Sequence, residues 1–356
     1  MRIAIDCRMI GSGGIGSYIS ELIPYLIEEN DTLLLGSHEQ CMDFVRLENV
    51  EFCFCDVKPF SKKEMFNFPS DILARINSYD VYFTPYCNIP NGITIPVFST
   101  IHDVVFLDVP GLTSFFGKLG RKMIYQRAIN KSNTIFTVSK FSKNRIRANL
   151  RCKKNIVITY NSTPKYLREN FNEESENAIA KENFVLFVGN IKKHKGLKTL
   201  LEAYEIALKN GFSSKLVIVG NADNFRTGDD ETVRKLESLP KDKIEFTGKI
   251  SNQMLKENYQ KAKFLVQPSL YEGFGMPPLE AMTLGTPVLL SDIEVFKEIY
   301  EGFPVHFFKC GDANDLAEKM LSMKTDTIDL GALKEKYSYK KSAETILEQF
   351  RKVYKK

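Results

Sequence analysis

Thirteen short runs rich in β-branched and aromatic residues punctuate this 356-residue chain, each set off from the next by a longer, largely amphipathic stretch. The first seven are RIAID, TLLLGS, VEFCFC, VYFTPY, IPVFSTIHD, NTIFTVS and NIVITY; the last six are NFVLFVGN, KLVIVG, KIEFTG, KFLVQPS, PVLLSD and VHFFK. Strands that alternate with crossover helices build parallel sheets, because a parallel pair cannot be joined by a tight turn. At roughly 150 residues per domain, the length holds about two domains. Residues 161–182 separate the two sets with a polar, acidic stretch that has no apolar period, so the boundary is expected near Glu173. The expected organisation is an N-terminal domain over 1–172, a C-terminal domain over 173–338, and a tail over 339–356. In that tail Ala343, Ile346, Leu347, Phe350 and Val353 form one helical stripe, expected to pack back on the body. The predicted fold is α/β, with two Rossmann-like, doubly wound parallel-sheet domains. Sheets of this kind bind ligands beyond the carboxyl ends of their strands, and two facing each other would enclose a deep cleft.

Composition removes several alternatives. A hydrophobic share of 43% and a charged share of 26% are those of a globular chain, so disorder and fibrous repeats are excluded. The seven cysteines are odd in number, scattered and without a C-x-x-C pair, which suits buried thiols in a reducing compartment better than a disulfide framework. No stretch reaches the roughly 18–20 apolar residues of a spanning helix. The expected location is the cytoplasm, with peripheral attachment to the inner face of the membrane as a further option.

Two strand-end turns carry candidate chemistry. After RIAID, the residues Gly11, Ser12, Gly13, Gly14, Ile15 and Gly16 open a helix, where small residues and free amides suit a phosphate. The spacing is not the dinucleotide G-x-G-x-x-G, so a dehydrogenase is not supported, and an ordinary flexible turn is the competing reading. After KFLVQPS, the string LYEGFGMPPLEAMTLGTPVLLSD sets Glu272 and Glu280 eight residues apart around a turn containing Gly273 and Gly275. Pro277 and Pro278 are expected in the first helical turn, with Glu280 beside them, where it could simply favour the helix dipole. A solvated loop acid is the ordinary alternative for Glu272.

That string resembles the E-x7-E segment of the retaining GT-B glycosyltransferases of family GT4. VGNIKKHKGLKTLLEAY, FTGKISNQMLKENYQKAKFLVQPS, GGIGSYISELI, STIHDVVFLDVPG and IFTVSKFSKNRI resemble further segments of the same family, in the same order. The resemblance implies a GT-B fold and transfer of a hexosyl group from a nucleotide-diphosphate sugar to a hydroxyl of a saccharide or glycolipid acceptor, in cell-surface polysaccharide synthesis. GDP-mannose is the first donor to consider and a dTDP- or UDP-sugar the second. By this resemblance Glu272 contacts the donor sugar near the amides of Phe274 and Gly275, and Glu280 holds the ribose. Lys195 meets the diphosphate, and Gly14, Ile15 and Gly16 line the donor site from the N-terminal domain. Asn190 stands where many members carry an arginine, with Lys192 or Lys193 available to supply the charge. His102 approaches the transferred sugar, and Asp103 orients its loop or the acceptor. The implied mechanism is front-face attack, with the leaving phosphate taking the acceptor proton.

A departing diphosphate needs fixed cations or oriented amides. No Asp-x-Asp pair occurs in the sequence, so the expected chemistry needs no metal and no cofactor, the nucleotide sugar being a co-substrate. A nucleotide-sugar epimerase on the same fold and a non-catalytic nucleotide-sugar-binding regulator stay open as alternatives. Net charge is +5, yet no Asp or Glu occurs from Val109 to Arg168. Within that stretch Leu112, Phe115, Phe116, Leu119, Met123 and Ile124 interleave with Lys118, Arg121, Lys122 and Arg127. An anionic membrane surface is therefore a candidate partner, and the solvated face of an ordinary helix is the alternative. No nucleic-acid module is recognisable, so nucleic acid is not an expected partner.

Overall fold

Each of the thirteen apolar runs contains a strand in the computed structural model, which describes residues 1–168, 180–220, 230–324 and 329–354. In the first half these are β1 (Arg2–Asp6), β2 (Asp31–Gly36), β3 (Val50–Phe54), β4 (Val81–Thr84), β5 (Val97–Thr100), β6 (Thr134–Thr137) and β7 (Ile156–Ile158). The second half holds β8 (Phe184–Val188), β9 (Lys215–Val219), β10 (Ile244–Gly248), β11 (Phe264–Gln267), β12 (Val288–Ser291) and β13 (His306–Phe308).

The strands form two sheets, ordered β3-β2-β1-β4-β5-β6-β7 and β10-β9-β8-β11-β12-β13. The pairings are parallel, as in β1–β2 (Ile3 opposite Thr32) and β8–β11 (Leu186 opposite Leu265). Helices cover the sheet faces, so central strands such as VYFT and FLVQ are buried along their whole length instead of alternating. Ala4, Leu33, Leu35, Tyr82, Ile101 and Ile135 belong to the first core, and Val185, Phe187, Leu200, Ile218, Val266 and Leu289 to the second.

One compact unit comprises Met1–Asn161 with Tyr337–Lys356, and the other Ser162–Lys336. The boundary expected at Glu173 lies outside the described residues. The stretch read as a linker, 161–182, contains the helix Lys165–Arg168 of the second unit, whose Leu167 is buried. The C-terminal stripe folds as the helix Tyr339–Tyr354 and belongs to the first unit. Its Phe350 ring lies 4.5 Å from Phe98 and 5.8 Å from Phe83, measured between centroids, and Ser342 Oγ donates to the Tyr160 carbonyl at 2.8 Å. The cysteines are free thiols, with Cys7, Cys41, Cys53, Cys55 and Cys87 buried. No helix among the described residues is long and apolar enough to cross a membrane.

Candidate active site

In the second unit the chain leaves β8 for β9 and β10 on one side and returns as β11 on the other. The carboxyl ends of β8 and β11 are therefore adjacent at a topological switch point, where open α/β sheets bind ligands. The loop after β8 makes the turn Lys193–Lys195 and enters the helix Leu197–Lys209; the loop after β11 enters the helix Met276–Thr283. The amides of Leu270 and Tyr271 donate to the His194 carbonyl at 2.8 and 3.4 Å, tying the two loops together. Gly196 lies so close that a Cβ there would be 1.9 Å from the Pro268 carbonyl oxygen, leaving no room for any other residue.

This docking brings together two side chains 77 positions apart. Lys195 Nζ donates to both carboxylate oxygens of Glu272, at 2.8 and 2.9 Å. Ser269 Oγ donates to Glu272 Oε1 at 2.7 Å, and Gln267 Nε2 donates to Ser269 Oγ at 3.0 Å. The Lys195 side chain keeps 20% of its surface exposed and that of Glu272 9%, so the pair is sheltered but reachable. His194 is buried; burial and the neighbouring Lys195 charge push its pKa down to about 4, and its Nδ1 has no hydrogen-bond partner. A neutral imidazole thus sits beside the ammonium without competing for its charge.

Glu280 behaves differently from Glu272. Gly275 caps the helix and no acid lies in the first turn, so Glu280 falls one turn further on than expected and is poorly placed to favour the dipole. It is buried, and Tyr259 donates to its Oε2 at 2.6 Å. Burial pushes its pKa up to about 6, with the Tyr259 bond acting in the opposite direction. Pro277 and Pro278 remove two amide donors from this helix start, so lysine carries more of any anion-binding role here than helix amides do. Phe274 is buried, and the Gly275 carbonyl accepts a hydrogen bond from Tyr300. Asn190, Lys192 and Lys193 are exposed around the turn. A cavity of about 320 Å³ between Glu182, Lys215, Glu245 and Lys261 lies at the amino ends of β8 and β9, away from Lys195 and Glu272.

In the first unit, Gly14 and Ile15 open the helix Gly13–Ile27, which has no side-chain cap at Ser12. Gly16 is a packing residue: a Cβ there would sit 2.4 Å from the Met9 carbonyl oxygen. Tyr18, from the same helix, meets His102 edge-on at 4.9 Å. His102 Nε2 donates to the Pro85 carbonyl at 2.9 Å, and burial pushes its pKa down to about 4, leaving the ring neutral near pH 7. Asp103 Oδ1 accepts from the Val105 amide at 3.0 Å, which orients its own loop.

Sequence reading missed a buried polar cluster of this unit. Asp6 ends β1, and its carboxylate accepts from Arg8 Nε at 2.9 Å and Arg8 Nη2 at 2.6 Å. The same Nη2 reaches Glu64 Oε1 at 2.6 Å and Tyr86 OH at 2.8 Å, while Tyr82 OH donates to Asp6 Oδ2 at 2.9 Å. Asn88 and Tyr86 also donate to Glu64. The three charged side chains are at most 2% exposed. Burial works against the Arg8 charge, but Asp6 beside it holds the guanidinium pKa well above its ordinary value. Burial likewise raises the Glu64 pKa, against the pull of Arg8. A charge at the end of an apolar strand, as in RIAIDCR, was the one local signal; the partners lie 56 to 78 positions away.

Residues 169–344 match the family model described as Glycosyl transferases group 1. This part of the chain belongs to the group 1 glycosyl transferases. Among curated relatives of this transferase chain, the O-antigen chain mannosyltransferase RfbU of Salmonella typhimurium is 33% identical over 201 residues, 56% of this chain and 53% of that one. The O-antigen chain mannosyltransferase B of Escherichia coli is 24% identical over 228 residues, 62% and 58% of the two chains. The match thus spans about half the length of these relatives. Sucrose-phosphate synthase from Thermosynechococcus elongatus aligns over 99% of both chains with a TM-score of 0.72 at 18% identity. HepE of Anabaena, solved with UDP and glucose, covers 99% of this chain and 100% of its own, with a TM-score of 0.70 at 16% identity. Together with the two parallel sheets, these likenesses give the group 1 transferase a GT-B fold.

Proposed function

We propose that this group 1 transferase moves a hexosyl group from a nucleotide-diphosphate sugar to a hydroxyl of a saccharide or lipid-linked acceptor in cell-surface polysaccharide synthesis, with retention and without a metal. The observation that carries this reading is the Lys195–Glu272 pair, held by Ser269 at the β8–β11 switch point. In the donor complex Lys195 turns from Glu272 to the diphosphate, whose negative charge grows as the glycosyl bond breaks. Glu272, released from the lysine, accepts hydrogen bonds from the sugar hydroxyls, and Glu280 serves the nucleoside. Attack comes from the face the diphosphate leaves, so the acceptor proton passes to a phosphate oxygen and no carboxylate acts as nucleophile. His102 and Asp103, with Gly14 and Ile15, are the first unit's candidates, carried over from the family resemblance alone. The mannosyltransferase relatives make GDP-mannose the first donor to test.

The deciding experiment is a thermal-shift panel of GDP, UDP and dTDP and their sugars, with Lys195→Ala as the comparison. A ligand at a hundred times its dissociation constant stabilises by about 2.7 kcal/mol. A rise with GDP-mannose that is lost in the variant supports the reading; no rise with any nucleotide overturns it. Transfer is expected to survive excess EDTA, and loss restored by magnesium or manganese would overturn the metal-free mechanism.

The membrane surface belongs to the same proposal. On the helix Phe115–Lys131 the exposed apolar residues are Phe115 (78%), Phe116 (81%), Leu119 (50%) and Met123 (66%), with Lys118 and Lys122 exposed among them. Ile124 instead packs against the core, Arg127 donates to Asn91 at 2.7 Å, and Arg121 lies 3.7 Å over the Phe106 ring. A basic, aromatic helix face suits an anionic leaflet. Salt-sensitive sedimentation with anionic vesicles, weakened by joint Phe115→Ser and Phe116→Ser substitution, is the expected result. Equal sedimentation with neutral and anionic vesicles would overturn it.

A further inference from the structure

Among the described residues, one residue other than glycine has a positive φ: Phe60, at 62°. That region of backbone space is a steric outlier for a bulky side chain and persists only where the surroundings impose it. Here the surroundings are the buried cluster of the first unit. The Phe60 amide donates to Glu64 Oε2 at 2.7 Å, while Glu64 is locked by Arg8, Tyr86 and Asn88. The Phe60 ring packs on Tyr86 at 5.1 Å between centroids, yet remains 53% exposed. A glycine would remove the strain at this position, and an exposed ring gains little from folding. Neither local structure nor core packing accounts for a phenylalanine here.

Position supplies the missing reason. Phe60 follows the carboxyl end of β3, and the Asp6–Arg8–Glu64 cluster beneath it fills the switch point between β1 and β4. A ligand at this strand-end edge meets that filled crevice as a floor, with Phe60 standing on it as a fixed apolar plate. We propose that Phe60 is a stacking platform for one sugar ring of the acceptor. Hexopyranoses present a face of C–H groups that matches an aromatic plane, and a ring held in one orientation loses little conformational freedom on binding. The inference rests on the acceptor being a saccharide, as proposed above.

The chain contains no tryptophan, so Phe60→Trp would introduce the sole indole, exactly where the sugar is expected to stack. The probes are α-mannobiose and N,N′-diacetylchitobiose, with Phe116→Trp as a second single-indole protein. A saturable emission change in the first protein and none in the second is the expected result. No change with either sugar, or equal changes in both proteins, overturns the proposal. In steady-state transfer, Phe60→Gly is expected to raise the acceptor KM about tenfold without lowering the melting temperature, whereas Phe66→Ala on the neighbouring exposed surface leaves both unchanged. An acceptor KM unaltered by Phe60→Gly counts against stacking. Failure of the transferase reading would show separately, as no thermal shift of the unsubstituted protein with any of the nucleotide diphosphates or their sugars.

Discussion

The two units repeat one topology and use its crevice in opposite ways. Each sheet reverses strand order once, between β1 and β4 in the first unit and between β8 and β11 in the second. In the second unit the crevice holds one lysine and one glutamate, the lysine side chain 20% exposed, bonded mainly to each other. In the first, Asp6, Arg8 and Glu64 are at most 2% exposed, with tyrosine, asparagine and backbone partners on nearly every polar atom. A cation whose partner is a single carboxylate can be recruited by an incoming phosphate. A guanidinium held by two carboxylates, a phenol and the Val57 carbonyl cannot, because no ligand replaces all of those bonds at once. The same fold thus supplies one crevice open to a ligand and one closed by its own side chains.

Arg8→Met should break this contrast most severely. Removing the cation leaves Asp6 and Glu64 buried without compensation, which costs about 3–5 kcal/mol; equilibrium denaturation in urea would measure it. A loss under 1 kcal/mol would mean that the cluster is not the sealed core element described. Lys195→Ala and Glu272→Gln should act in the reverse sense, lowering turnover on the order of a hundredfold while the melting temperature barely moves. If either destabilises the protein as Arg8→Met does, the two crevices are alike and the comparison fails.

The smallest expected effect concerns pH. The Glu280 pKa is raised to about 6 in the folded protein from its ordinary value of 4.5, so the folded state binds the proton more tightly in that window. Stability contributed by the protonated carboxyl is present below about pH 4.5 and is lost as pH rises through about 6. Glu280→Gln should therefore gain stability relative to the parent between those two values, read as a pH-dependent difference in urea midpoints. A difference that does not vary with pH would show that Tyr259 offsets the burial fully.

Much of this molecule was legible before folding. Parallel strands buried on both faces must be continuous apolar runs, and each such run became a strand. The Glu272 turn was visible because its glycines, prolines and acids are contiguous. The Asp6–Arg8–Glu64 cluster was not, because its members come from a strand end, the turn after it and a short helix more than fifty positions on, and each alone reads as a surface charge. Glu280 was visible as a residue but misplaced in its helix: whether Gly275 or a later position caps the helix depends on the fit of the loop against Phe296 and Tyr300, which no local pattern encodes.

By itself the sequence determined the periodicities: a repeat near two or an unbroken apolar run for strands, a repeat near 3.6 for helices, and glycine where a turn required it. Those depend on backbone geometry and on neighbours a few residues away. Partnership required the tertiary structure. The stripe of Ala343, Ile346, Leu347 and Phe350 announces a helix that must be covered, but not by what; its place in the first unit follows from the space beside Phe83, Phe98 and Phe136 that the Phe350 ring occupies. Lys195 and Glu272 likewise meet because strand order makes β8 and β11 neighbours, and strand order is chosen by long-range packing, to which a local stretch of sequence is blind.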